Sequence, residues 1–109
     1  MATRTKILIV DGDLDTLSKI YLALVHRNYK VEASDNPEEI PERIKRFKPS
    51  LLIIGQKEFK CLPDNLKIEM IILQNQGESD RITADRELLV MEKPVQLERL
   101  MHAIEERTV

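Results

Sequence analysis

The side chains best suited to chemistry lie where apolar runs end. Asp11 and Asp13 flank Gly12 directly after one such run, Lys93-Pro94 follows another, and Gly55 closes a third. Carboxylates at a strand end can hold a hard cation or pair with an ammonium, and a lysine supplies the fixed positive charge such a group needs. In an open α/β sheet, chemistry sits just beyond the carboxyl ends of the strands. A nucleophile at the centre of that arrangement would stand at Gly55, which has no side chain to attack with. Asp13 reads first as the N-cap of a following helix and only weakly as a metal ligand. For Asp11, an ion pair with Lys93 leads over weak cation binding and simple exposure. His26 and His102 fall on helices away from the strand ends and read as surface histidines.

The elements that must position these residues follow from the hydropathy pattern. Residues 6–10 (KILIV) and 50–54 (SLLII) are apolar on both faces, and residues 68–73 (IEMIIL) nearly so, as expected of buried strands with layers on either side. Residues 29–33 (YKVEA) and 88–91 (LLVM) complete a set of five strands. Leu17, Ile20, Tyr21, Leu24 and Val25 recur at helical spacing after Asp13, with Asn28 placed to end that helix. Ile40, Ile44 and Phe47 mark a second helix that starts between Pro37, after an Asn36 cap, and Pro41. Leu97, Leu100, Met101 and Ile104 mark the last helix.

Between Gly55 and Glu87 the pattern thins. Residues 56–67 show no clear helical period and are crossed by Pro63, while residues 74–87 are mostly polar. The resulting order is a flavodoxin-like α/β fold: a doubly wound, five-stranded parallel sheet ordered 2-1-3-4-5, with its third and fourth crossover helices short or missing. Strands three and four then need cover on one face, either from Phe59, Leu62, Leu66 and Ile82 folded down as loops or from a partner protein.

Composition sets the outer bounds. A length of 109 residues suits one domain spanning 1–109, and 42% hydrophobic with 33% charged residues suits a compact globular chain. A formal net charge of −2 gives no electrostatic reason to bind nucleic acid or an anionic membrane, and no apolar run approaches the ~18 residues of a membrane span. The single cysteine, Cys61, excludes an intrachain disulfide and a cysteine-based zinc site, reads as a passive loop thiol, and makes a reducing cytoplasm the simplest location.

Taken together, "KILIVDGD", "KPSLLIIG" and "MEKPVQLERLMHAI", in that order, resemble the receiver domain of two-component response regulators from about residue 6 to residue 106. The resemblance implies strand one with its acidic pair, the strand that ends in the phosphoacceptor, and the Lys-Pro turn with the last helix. In that family an aspartate at the end of strand three takes a phosphoryl group, acidic residues after strand one hold Mg²⁺, a lysine after strand five supplies positive charge, a Thr or Ser follows strand four, and an aromatic residue on strand five reports the change.

Matched position by position, the acceptor falls on Gly55, the second acid on Gly12, the Thr/Ser on Gln74 and the aromatic switch on Val90. Asp11, Lys93 and Pro94 are kept, and the resemblance implies a cis peptide before Pro94. The expectation is a degenerate phosphorylation pocket made of Asp11, Gly12, Asp13, Gly55, Gln74, Lys93 and Pro94, in a non-enzymatic pseudo-receiver with no cofactor and with Mg²⁺ binding weak or absent. Its partner would be another protein, either a signalling protein or a second copy of itself, and not nucleic acid or membrane. With no room for an output domain, any output must come through that partner. Two alternatives stay open: a phosphorelay regulator phosphorylated at a non-standard Asp such as Asp13, Asp35 or Asp64, and a flavodoxin-like protein binding a small ligand such as FMN. The lack of a Gly/Ser/Thr-rich phosphate loop weighs against the second.

Overall fold

A computed structural model of the chain describes residues 5–62, 68–75 and 89–108. Within these the elements run β1 (Lys6–Val10), α1 (Leu14–His26), β2 (Lys30–Ser34), a 3₁₀ turn (Pro37–Glu39), α2 (Ile40–Phe47), β3 (Leu51–Gly55), α3 (Gln56–Phe59), β4 (Glu69–Gln74), β5 (Leu89–Glu92) and α4 (Leu97–Arg107). All pairings are parallel, and the strands lie in the order β2-β1-β3-β4-β5. The doubly wound sheet expected from the hydropathy pattern is therefore the fold of the protein. Its third crossover carries a helix of only four residues, and most of the fourth lies outside the described residues.

The alternation of side chains across the pleat sorts the core into two layers. Ile7, Ile9, Leu51, Ile53, Ile71 and Leu73 face α1 and α4, meeting Leu17, Ile20 and Leu24 from the first and Leu100, Met101 and Ile104 from the second. Leu8, Val10, Leu52, Ile54, Met70 and Ile72 face Ile40 and Phe47 of α2, with Ile44, Phe59, Leu62 and Ile68 partly buried against them. Every residue of β3 is buried. Burying such apolar side chains contributes about 1.5–3 kcal/mol each before the entropy of ordering them is counted, and β1, β3 and β4 each bury four of them.

Several local expectations need correction. The apolar stripe of α1 is narrower than its spacing suggests: Leu17, Ile20 and Leu24 are buried, but Tyr21 and Val25, one residue further round the helix, are 38% and 46% exposed. Leu97, the first residue of α4, is also exposed. Strands β2, β3 and β4 each start and end one residue later than the apolar runs that mark them, because the ladder registers decide the ends. The ambiguity at Pro37 and Pro41 is resolved by two elements. Pro37 opens the 3₁₀ turn behind the Asn36 cap, whose side chain accepts from the Glu38 N–H at 3.0 Å, and Pro41 sits in the first turn of α2.

Among the described residues, the strand side chains on the face of β3 and β4 expected to lack cover are buried. Ile54, Met70 and Ile72 are at most 1% exposed, and Phe59 and Leu62 fold down onto that face as short loops would. Leu66 and Ile82, assigned the same role, lie outside the described residues. Among the described residues the exposed large apolar side chains are instead Leu14, Tyr21, Leu22 and Val25 on α1, Val90 on β5 and Leu97 on α4.

Candidate functional site

The registers bring the chemistry-bearing residues to one end of the sheet. Val10 lies beside Ile54, Gly55 beside Leu73, and Gln74 beside Glu92, so the residues following β1, β3, β4 and β5 gather at a common edge. Asp11 follows β1 and remains 2% exposed. Its backbone N–H donates to the Ser34 carbonyl at 3.2 Å, which carries the β1–β2 ladder one step past the strand and fixes the direction of the carboxylate.

That carboxylate is held from two sides. Asp11 Oδ1 accepts the Asp13 backbone N–H at 2.9 Å and the Lys93 ammonium at 3.1 Å. Asp11 Oδ2, fully buried, lies 2.9 Å from Lys93 Nζ but has no well-directed hydrogen bond. The contact at Oδ2 is therefore mainly one of charge. Lys93 is placed by its own backbone N–H, which donates to the Gln74 carbonyl at 2.7 Å, and the peptide from Lys93 to Pro94 is cis. Its side chain is 14% exposed, so this ion pair is largely desolvated on both partners.

Asp13 takes a different role. It is the N-cap of α1, accepting the Asp15 N–H at 3.2 Å and the Thr16 hydroxyl at 2.8 Å. The Thr16 hydroxyl is the main cause holding its carboxyl below the usual carboxylate range; burial opposes this slightly, and Lys93, 3.9 Å away, adds a smaller push in the same direction. Asp13 is exposed, which suits a cap.

Gly12 and Gly55 bring no side chains to the site, but a third residue does. Glu58, in α3, accepts the Gly12 backbone N–H through Oε1 at 2.8 Å. The sequence pattern does not single out Glu58. Residues 56–67 lack a helical period, and only once Gln56–Phe59 is known to be helical does Glu58, one turn in, become able to point back over the strand end. Gln74 closes β4 half-buried, and its carbonyl is what orients Lys93. Val90, paired with Ile72, is 37% exposed.

The other candidates lie elsewhere. Cys61 is exposed after α3. His26 and His102 are exposed on α1 and α4, with His102 Nε2 2.9 Å from Glu106 Oε1 on the next turn. Asp35 is exposed beyond β2, and Asp64 lies outside the described residues.

As a metal site the arrangement fits poorly. Mg²⁺ requires near-ideal octahedral oxygen coordination, yet one Asp11 oxygen already accepts two donors, the other faces an ammonium, and Gly12 offers no donor side chain. Among the described residues no group of three or more His, Cys, Asp or Glu side chains is placed to hold a metal, and no helix is long and apolar enough to cross a membrane.

No protein-family model and no curated protein matches the chain. Its fold does match solved structures. A response regulator signal receiver domain from Bermanella marisrubri superposes with a TM-score of 0.76 at 17% identity, covering 98% of this chain and 100% of that one. A response regulator receiver domain protein from Methanospirillum hungatei gives 0.74 at 21% identity over 97% and 94% of the two chains. A response regulator receiver modulated diguanylate cyclase from Pelobacter carbinolicus gives 0.70 at 25% identity over 95% of each. The chain thus has the fold of response regulator receiver domains.

Proposed function

We propose that this chain is a pseudo-receiver: a non-enzymatic signalling module with the receiver fold that acts by binding another protein without being phosphorylated. One observation carries this reading. The strand end where the receiver resemblance implies a phosphoacceptor is Gly55, and the neighbouring Asp11 is committed to Lys93 at 2.9 Å. An acyl phosphate needs a carboxylate nucleophile, and glycine supplies none. The lysine that would neutralise an incoming phosphoryl group instead compensates a buried carboxylate, so its role is structural. The domain works without Mg²⁺ in this reading, which the commitment of both Asp11 oxygens to other donors supports.

The energetics of signalling differ accordingly. A phosphoryl group adds about −1.5 to −2 charges and can bias a two-state equilibrium. Without it, the domain is either held in one state or shifted only by the differential affinity of a partner. Phosphorylation at another aspartate is the weaker reading, since Asp13 is engaged as a cap and Asp35 stands beyond β2, away from Lys93.

The test is an affinity capture with the immobilised chain, run before and after treatment with acetyl phosphate and Mg²⁺. The same proteins should be retained in the same amounts in both arms. A partner retained only after treatment, or no specific partner in either arm, contradicts the proposal.

A further inference from the structure

Gly12 and Gly55 are usually the kind of positions explained by backbone conformation, but Gly55 has φ −67° and ψ 151°, an extended geometry open to any residue. What a side chain at either position would meet is the carboxylate of Glu58. A Cβ built on Gly12 would lie 2.8 Å from Glu58 Oε1, and one built on Gly55 would run into Glu58 Oε2 while standing 3.2 Å from both Cγ and Oδ2 of Asp11. The two glycines thus leave room for one and the same carboxylate. That carboxylate is fixed by the Gly12 N–H at 2.8 Å, across 46 residues of sequence.

We propose that Glu58 is an internal occupant of the strand-end pocket, a clasp that seats its carboxylate in the space left by the missing side chains of Gly12 and Gly55 and ties α3 to the β1–α1 turn. The clasp deepens the pseudo-receiver reading and rests on it for its meaning: with the pocket filled from within, the loops on its two sides are held in a single arrangement. It also fixes the sign of the local charge. Asp11, Asp13 and Glu58 oppose only Lys93 among the residues described at the pocket, a formal sum of −2, which is hostile to an incoming phosphoryl group.

The coupling is testable by amide hydrogen exchange at Gly12 in the full chain. Glu58→Ala removes the acceptor and should speed exchange of the Gly12 N–H about tenfold, the loss expected for a hydrogen bond to a charged group at a partly exposed site. Gly55→Ala, far less invasive, should displace the Glu58 tip and speed the same amide comparably. The double variant should add little to either, because both changes act on one contact. Amides of Val10 and Ile54 report that the sheet is intact, and Glu58→Gln, which keeps an acceptor without the charge, replaces Glu58→Ala if the latter fails to fold, with a smaller rise expected. Unchanged Gly12 exchange in the Glu58 variant, or effects of the two single changes that add fully, overturns the clasp. Phosphorylation of the wild-type chain would instead overturn the pseudo-receiver reading and leave the Gly12 result standing, so the two failures are distinguishable.

Discussion

On one side of the strand-end pocket, Lys93 reaches from the end of β5 to the buried carboxylate of Asp11; on the other, Gly12 and Gly55 are bare and Glu58 leans in from α3. The first side has the residue types that the receiver resemblance implies, and the second does not. Physical chemistry accounts for the difference. A buried carboxylate cannot lose its ammonium without leaving an uncompensated charge, so Asp11 and Lys93 are bound to each other whether or not any chemistry remains. An acceptor side chain at the end of β3 carries no such obligation. Its removal leaves no buried charge behind and opens space that the flexible end of a glutamate can enter. The Asp11–Lys93 half of the pocket is therefore poor evidence for activity, and the glycine half is the informative one.

The contrast can be broken most decisively at Lys93. Lys93→Met should lower stability by about 3 kcal/mol, read as a shift in the urea midpoint at unchanged slope, because it strands Asp11. Combining it with Asp11→Asn should recover much of that loss. A loss below about 1 kcal/mol would place the pair among surface ion pairs and remove its structural role.

A smaller effect belongs to the capping aspartate between the two sides. Asp13→Ala should cost about 1 kcal/mol through the lost cap of α1. Since the folded pKa of Asp13 lies below the ordinary 3.8, its contribution is fully present above that value and is lost as pH falls through the lower folded pKa. The stability gap between wild type and Asp13→Ala should accordingly be constant near neutrality and shrink on acidification below pH 3.8. A gap that instead widens with acid would contradict the cap's charge state.

Least disruptive of all should be Gly55→Ala, within about 1 kcal/mol of wild type, since the obstacle is the movable end of Glu58 and the backbone there is already extended. A loss of several kcal/mol would mean that the glycine side is as rigidly built as the lysine side.

How much of this was written plainly in the sequence differs from element to element. Residues 6–10 are strand from the first residue to the last, because the four branched aliphatics in a row after Lys6 favour a buried strand. Asn28 ends α1 with φ 71°, as its tolerance of the left-handed region suggests, whereas Lys48 ends α2 with φ 54° and carries no such signal. The ion pair of Asp11 with Lys93 was legible from two opposite charges at strand ends that the receiver resemblance places in one pocket, although β3 and β4 lie between the two strands. Glu58 did not, because its role depends on a four-residue helix too short to show a period, and on two glycines that read as losses until the space above them is measured. The apolar stripe of α1 misled at Tyr21 and Val25 for a related reason: spacing locates a helix face but not how wide a face the sheet can cover.

A pocket without an acceptor carboxylate at Gly55 should take no phosphoryl group. The direct measurement is the intact mass of the wild-type chain after incubation with acetyl phosphate and Mg²⁺. The mass should remain that of the unmodified protein; a stable gain of one phosphoryl group, on any aspartate, would contradict the central claim.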